Sequence, residues 1–192
     1  TLVTLPDPHS GRAISITEKQ LFNLRDKVRS LEAKLVELIG FGEENDSISD
    51  KVHGLAVALI AATDQAGVLR ALYSHLGGAF AVPHVTVRLW GAGQGEGREF
   101  EAVADSVKAS ASGLHRPYCG SVAGQESALW FGEAAAHLRS MTQVPLREAD
   151  GICFGLLVMA SEEPHRFYPE LGTLYLERIG DMAAAALLRV AA

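Results

Sequence analysis

The sequence predicts an α+β fold: an antiparallel sheet flanked by helices and preceded by an N-terminal coiled-coil helix. Three observations support this prediction. Apolar residues repeat in heptads over 21–38, strand-like patterns occupy the middle of the chain, and a long helical pattern closes it. Helices first, strands next and a helix last is the order expected of one sheet with helices packed against it.

Size, composition and charge limit the class of protein. The chain has 192 residues, 48% of them hydrophobic, which suits one domain with a buried core plus an appendage. Its formal net charge of −6 disfavours nucleic acid as a partner, because phosphate binding needs a basic face. Residues 1–12 lack a signal-peptide pattern, and the longest apolar run, 152–160, is about half of a membrane span. With only two cysteines, we expect a cytoplasmic protein that binds neither nucleic acid nor membrane.

The chain divides into three predicted segments. Residues 1–14, with two prolines and a glycine, predict an extended arm; 15–45 predict a dimerising coiled-coil helix; and 46–192 predict the folded domain. Ser15 and Glu18 form a capping-box pattern at the start of the helix, and the same pattern recurs two residues later.

The N-terminal helix carries a heptad seam, in which apolar residues stand alternately three and four positions apart. The seam consists of Leu21, Leu24, Val28, Leu31, Leu35 and Leu38. Leucine at every d position, with leucine or valine at a, favours a parallel two-stranded coil in which Lys27 faces Glu32 of the second chain. We therefore expect a homodimer through this helix. A single helix packing its stripe on its own domain is the alternative.

The heptad register ends near Gly40 and Gly42, and the apolar series resumes one position early at Phe41. Because each glycine weakens a helix by about 1 kcal/mol, the sequence predicts a kink or break there. A continuous helix with a stammer is the alternative.

Beyond residue 50 the pattern predicts a compact domain. The apolar run 152–160 has no polar face, which indicates a central strand covered on both sides. The predicted elements are helices at 51–62 and 66–77, a strand at 84–90, a glycine-rich hairpin turn at 91–97, a return strand at 100–104, one or two short helices in 105–132, strands at 139–146 and 152–161, and a terminal helix at 170–190.

A sheet backed by a dimer-forming helix is a GAF or PAS style of layout, and the pattern alone does not separate these two folds. Five segments resemble the bacterial family known as domain of unknown function number 484: 10–15 (SGRAIS), 82–90 (VPHVTVRLW), 117–120 (PYCG), 154–157 (FGLL) and 166–173 (RFYPELGT). The resemblance implies a GAF-like fold and supplies no activity, cofactor or catalytic residue. The sequence departs from the family at 40–45 (GFGEEN), where the family is more uniformly helical.

The same resemblance implies a ligand pocket between the sheet and the helices of the 105–131 region. Its candidate ligand-binding residues are Arg88, Tyr118, Cys119, Trp130 and Phe131. The alternative is that the aromatic residues fill the core and that Arg88 is solvated. The expected function is a regulatory or scaffolding dimer without enzymatic activity, which binds a small molecule or a protein.

Cys119 carries the rival hypothesis, a thiol enzyme similar to the GAF proteins that reduce methionine sulfoxide. Arg116 and His115 precede this cysteine closely, and a nearby cation can activate a thiol. Against it, Cys153 lies in an apolar run and is poorly placed to resolve an intermediate. No two of the seven histidines stand three to five residues apart, so we expect neither a metal site nor a cofactor.

Overall fold

The computed structural model describes residues 16–91, 93, 95–169 and 171–191, with side chains from residue 19 onward. The chain divides into two compact units, residues 1–48 and 49–192. The predicted arm at 1–14 and the predicted capping residue Ser15 lie outside the described residues.

Helix α1 (Ile16–Ala61) contains the heptad seam in its first part. The helix continues through Gly40 and Gly42, so the predicted break there is wrong and the continuous helix of the alternative is observed. A Cβ added at either glycine would meet no atom within 4 Å, so no steric demand requires glycine at these positions. The cooperative hydrogen bonds of the flanking turns outweigh the roughly 1 kcal/mol that each glycine costs.

The second unit is built around one sheet. Its helices are α2 (Gln65–Ser74), α3 (Asp105–Gly113) and α4 (Leu174–Ala191), and its strands are β1 (His84–Leu89), β2 (Tyr118–Ser121), β3 (Ser140–Arg147) and β4 (Cys153–Ser161). A π-helical turn (His75–Ala79) follows α2, and 3-10 helices span Arg98–Phe100 and Glu126–Ala136. Among the helices described, none is long and apolar enough to cross a membrane.

In the described part of the chain, four strands form an antiparallel sheet in the order β1-β4-β3-β2. β4 lies between β1 and β3, and every residue of β4 is buried. Leu157, for example, stands between Val87 on one neighbour and Val144 on the other. The central, doubly covered strand predicted from the apolar run is therefore confirmed, although Ile152 lies just before it and is exposed.

The predicted return strand at 100–104 is wrong, and so is the hairpin that would have joined it to β1. Arg98–Phe100 is a short 3-10 turn, and β1 pairs with β4 instead. Val103 is buried in the apolar cluster beside α3, so its apolar character serves packing and not strand pairing. β4 offers β1 a fully buried partner, whereas an isolated hairpin is marginally stable.

Helices cover both faces of the sheet. α4 packs on β3, and Gly180 approaches so closely that an added Cβ would lie 2.6 Å from Val144 Cγ1. α3 packs on the other face, where Val107 and Ala111 join an apolar cluster that includes Met141 of β3. Because side chains alternate along a strand, odd-numbered residues up to 145 of β3 face α3 and even-numbered residues face α4.

Candidate functional site

Four of the five predicted ligand residues lie on the α3 face of the sheet. Trp130, Phe131 and Tyr118 pack against the apolar cluster there, and Arg88 lies next to Trp130. Cys119 pairs with Thr142, an even-numbered residue of β3, so its side chain points to the α4 face. The sheet thus separates Cys119 from the other four residues. Contact of any of the five with a ligand stays a prediction.

Arg88 is buried and its charge is already paired. Its guanidinium donates a hydrogen bond to Glu101 Oε2 at 2.9 Å and lies 5.2 Å from the centre of the Trp130 ring. A further, longer hydrogen bond of 3.3 Å reaches Thr86 Oγ1. An anion at this position would have to compete with the Glu101 carboxylate, because the buried guanidinium of Arg88 is already paired with it.

The aromatic residues fill space on the α3 face and anchor it. The Trp90 indole N–H donates to Cys153 O at 2.9 Å, and the Phe131 ring meets His84 edge-on with ring centres 5.9 Å apart. The Tyr118 hydroxyl donates to Ser121 O at 2.9 Å. Such contacts are typical of aromatic residues that form part of a core.

Both cysteines are buried, unpaired thiols. The Cys119 thiol donates to Thr142 Oγ1 at 3.4 Å, and burial raises its pKa above the ordinary thiol value. Burial likewise raises the pKa of the Cys153 thiol. Cys119 pairs with Thr142, which in turn pairs with Met159. Because Met159 is six positions from Cys153 along β4, the two thiols lie about 20 Å apart. The two cysteines therefore lie too far apart to form a disulfide without rearrangement.

A polar cleft of about 190 Å³ opens on the α3 face, between α3 and the segment that leads into the second 3-10 helix. Its polar lining consists of Ser106, Ser110, Gln125, Glu126, Ser127 and Gln143. Gln143 forms the part contributed by β3, where it is directly paired with Tyr118 of β2. Tyr118, a predicted ligand residue, is therefore the strand neighbour of a residue that lines the cleft.

Ser127 is the polar residue of this cleft that the protein leaves unsatisfied. It is 2% exposed, and its Oγ has no hydrogen-bond partner among the described residues. A buried hydroxyl without a partner costs about 1–3 kcal/mol. Such groups are uncommon in folded proteins, which makes Ser127 a candidate contact for a ligand in this cleft.

Arg147 fixes the position of α3 beside the cleft. One guanidinium nitrogen donates to the carbonyls of Ala111, Ser112 and Leu114 at 3.1, 2.9 and 2.8 Å, which are the last carbonyls of the helix and its cap. The other terminal nitrogen donates to Gly151 O at 2.8 Å. This side chain satisfies carbonyls that helix ends leave free and ties α3 to the β3–β4 loop.

A second polar cluster joins α2 to the turn after β1. The Tyr73 hydroxyl donates to Glu99 Oε1 at 2.7 Å and accepts from Val87 N at 3.3 Å, while Arg98 lies 5.3 Å from the Tyr73 ring centre. Burial first, and then the bond to Glu99, raise the pKa of Tyr73 to about 12. Burial alone would raise the pKa of Glu99, but the hydrogen bonds from Tyr73 and Arg98 outweigh it and the pKa lies below its ordinary value.

A larger groove of about 310 Å³ lies between the C-terminal part of α1 and α4, but it is lined mostly by apolar side chains such as Leu59, Ile60 and Met182. Its one charged residue, Arg189, donates to the carbonyls of Leu59, Ile60 and Ala62. We regard the smaller polar cleft as the better candidate, because specific sites need polar groups that can bind a ligand. Within the described residues, no three His, Cys, Asp or Glu side chains group as metal ligands.

The cleft lies in the region predicted to hold a ligand pocket, but none of the five predicted ligand residues lines it. All of the lining residues except Gln143 fall within the predicted 105–131 region. The selection favoured aromatic and charged side chains, whereas the cleft is lined by hydroxyls, amides and one carboxylate. The signal available was the density of Ser and Gln between 106 and 127, which is otherwise typical of a solvated loop.

An antiparallel sheet in this order, with helices on both faces and a long N-terminal helix, defines a GAF-like protein. Similar solved structures include the free methionine-R-sulfoxide reductase of Neisseria meningitidis in complex with its substrate, at 19% identity over 74% of this chain and 89% of that chain, with a TM-score of 0.53. The GAF domain of a protein assigned as a sensor histidine kinase from Pseudomonas syringae pv. tomato is 20% identical over 78% of this chain and 91% of that chain, with a TM-score of 0.50. At these identities the likeness shows the fold alone.

The sequence profile of DUF484, described as a protein of unknown function, matches residues 3–191. The chain therefore belongs to the DUF484 family, and its fold is GAF-like, as the resemblance implied. No curated protein sequence matches the chain significantly.

Proposed function

We propose that this protein is a non-enzymatic regulatory or scaffolding dimer, whose GAF-like domain binds a small molecule or a protein partner. The observation that supports dimerisation is the exposure of the heptad seam. Its six residues are 45–64% exposed on α1, although all are large and apolar. Over 19–48, the described residues of this segment are exposed except for two that are half-buried. A second copy of the same seam is the partner that the 3.5-residue spacing fits.

Energetics favour pairing of two such seams. Fully burying one leucine or valine side chain contributes roughly 1.5–3 kcal/mol, and each helix contributes one such side chain to each of six layers. This sum is large enough to offset the rotational and translational entropy lost on association, which costs about 4–15 kcal/mol. Lys27 and Glu32 would add interchain ion pairs at the edges of the coil, which set orientation more than affinity.

The seam can be tested by light scattering of a double variant, Leu24→Glu with Leu31→Glu. The parent should have twice the 20.5 kDa mass of one chain. The variant should be a folded monomer, because four like charges would lie inside the coil. Phe22→Glu with Val36→Glu is the matched control, since both side chains are exposed and apolar but lie off the seam. A parent that is monomeric at micromolar concentration contradicts the dimer, and a seam variant that stays dimeric places the interface elsewhere.

Non-enzymatic character is the second part of the proposal, and the thiol chemistry supports it. A reactive cysteine needs a lowered pKa and access to solvent, whereas Cys119 is buried with a raised pKa. Cys153 lies about 20 Å away on β4 and is buried as well. Two unpaired thiols also suit the reducing cytoplasm, which is the location we propose.

Alkylation kinetics of Cys119 test this second part. We expect slow alkylation at neutral pH, with a rate that rises only above the ordinary thiol pKa of about 8.5. We also expect no reduction of free methionine sulfoxide by the parent beyond the level of Cys119→Ser. Fast alkylation near pH 7, together with turnover that Cys119→Ser abolishes, would support a thiol enzyme instead.

A further inference from the structure

We propose that the polar cleft beside α3 binds a small molecule that carries one ammonium group and a neighbouring amide or hydroxyl group. The cleft has a volume of about 190 Å³ and lies between α3 and the segment 124–127, with Gln143 of β3 in its lining. The inference gives a site and a chemistry to the small-molecule binding in the proposed function, and it rests on that function.

Ser127 is the observation that points to a ligand. Ser127 is one of the residues that line the cleft, it is 2% exposed, and its Oγ has no hydrogen-bond partner among the described residues. Buried hydroxyls in folded proteins almost always have a partner. Because a hydroxyl both donates and accepts, it matches an amide or a hydroxyl on the bound molecule.

Two glutamine side chains extend the polar lining of the cleft. Gln143 Nε2 donates to Gln125 Oε1 at 2.7 Å, so each amide holds the other in place. The amide nitrogen Nε2 of Gln125 and the amide oxygen Oε1 of Gln143 are not used in that bond. Together they offer a donor and an acceptor, which is the pattern that a ligand amide complements.

Glu126 sets the charge that the cleft accepts. Ser106 Oγ donates to Glu126 Oε2 at 2.7 Å, which orients the carboxylate and leaves its other oxygen for a ligand. The cleft lining contains no lysine, arginine or histidine. An ammonium group is therefore attracted, whereas a carboxylate or phosphate would meet an unbalanced negative charge. This distinguishes an amino amide or amino alcohol from an amino acid.

The volume of the cleft limits the ligand to a small molecule. One water occupies about 30 Å³ in the liquid, so the cleft holds the equivalent of about six waters. Clefts for drug-sized ligands measure about 300–1,000 Å³. A molecule of about six to eight non-hydrogen atoms therefore fits inside the cleft.

Three probes of similar size test this chemistry on the full chain by calorimetric or NMR titration. Serinamide carries an ammonium, an amide and a hydroxyl group; lactamide lacks the ammonium; and serine replaces the amide with a carboxylate. At pH 6.5 the amino group of serinamide is protonated, since α-amino groups titrate near 8. We expect serinamide to bind at least tenfold more tightly than serine and more tightly than lactamide.

Variants assign the binding to these residues. Ser127→Ala should weaken serinamide and lactamide by fivefold or more while leaving the melting temperature unchanged or higher, because no internal hydrogen bond is lost. Glu126→Gln should abolish the preference for serinamide over lactamide. Ser112→Ala is the control, since Ser112 is an exposed serine of the same helix; it should bind like the parent.

Three outcomes overturn the inference: no saturable binding of any probe, serine binding as tightly as serinamide, or unchanged affinity in Ser127→Ala. Light scattering of the same samples separates this failure from failure of the proposed dimer. A dimeric parent that binds no probe refutes the cleft chemistry alone. The Leu24→Glu and Leu31→Glu double variant, if monomeric, should still bind serinamide, because the cleft is formed within the second unit.

Discussion

β4 and the first part of α1 are both rich in leucine and valine, yet only β4 is buried within its own chain. Every residue of β4 is buried, because strands flank it and helices cover both sheet faces. The six seam residues of α1 remain 45–64% exposed, and the described part of the first unit is this helix alone. Apolar content therefore does not tell where a residue is buried. Spacing does: a run apolar on both faces indicates the centre of a sheet, and a 3.5-residue repeat indicates a second helix.

The largest expected effect comes from placing the same substitution in both regions. Leu157→Asp should unfold the second unit, because an unpaired charge at a fully buried site costs several kcal/mol out of a total stability of about 5–15 kcal/mol. Leu31→Asp should leave the second unit folded and weaken only the dimer. Circular dichroism and light scattering of the two variants provide the comparison. A Leu157→Asp protein that melts within a degree or two of the parent would contradict the central position of β4.

The sequence predicts features that depend on neighbouring residues better than features that depend on distant ones. The central strand and the β3–β4 hairpin are confirmed, because each depends on residues close together in sequence. Pairing of the heptad seam stays a prediction. The predicted strand at 100–104 failed because the partner of β1 is β4, and periodicity within a segment carries no information about distant partners. The predicted break at Gly40 and Gly42 is wrong because the helix propensity of single residues does not include the cooperative hydrogen bonding of the flanking helix.

The candidate site shows the same limit. Ser106 and Ser127 lie in the 105–131 region, where the sequence predicts a ligand pocket. Gln143 was not, since only the register of β2 against β3 brings it to the cleft. The lack of a hydrogen-bond partner for Ser127 Oγ among the described residues results from three-dimensional packing, and no sequence pattern predicts it.

An intermediate loss of stability is expected when the hydrogen bonds of Tyr73 in the second unit are removed. Tyr73→Phe removes the hydrogen bonds to Glu99 and from Val87 N, and should cost about 1–3 kcal/mol near pH 7. Tyr168→Phe is the control, because this tyrosine is 41% exposed. Chemical denaturation at several pH values measures both variants.

The pH dependence follows from the shifted pKa values at this cluster. The lowered pKa of Glu99 contributes stability above its unfolded pKa, and this contribution is lost as the pH falls through the folded value. The raised pKa of Tyr73 contributes below pH 10 and is lost as the pH rises toward 12. The difference between parent and Tyr73→Phe should therefore be greatest near neutral pH and narrow at both extremes. A difference that is constant from pH 3 to 11 would contradict the proposed network.

The smallest effect on stability is expected from replacing glycines by alanine, and its sign should differ between α1 and α2. Gly40→Ala and Gly42→Ala should each stabilise α1 by up to about 1 kcal/mol, because the added Cβ meets nothing within 4 Å. Gly67→Ala in α2 should destabilise, since its Cβ would lie 2.9 Å from Asp64 Oδ1, the capping atom of that helix. Thermal melts of the three variants decide the matter. Stabilisation by Gly67→Ala would show that the cap contributes little.

The sheet order has a consequence for how the chain folds during synthesis. β1 is the first strand to be made, but its partner β4 begins at Cys153, more than sixty residues after β1 ends at Leu89. At a synthesis rate of about 5–20 residues per second, β1 has no strand partner for several seconds after it is made. Closing so long a loop before any ladder can form also slows folding in solution. The seam of α1 precedes the whole sheet, so the proposed pairing of two helices needs no residue of the sheet to have been made.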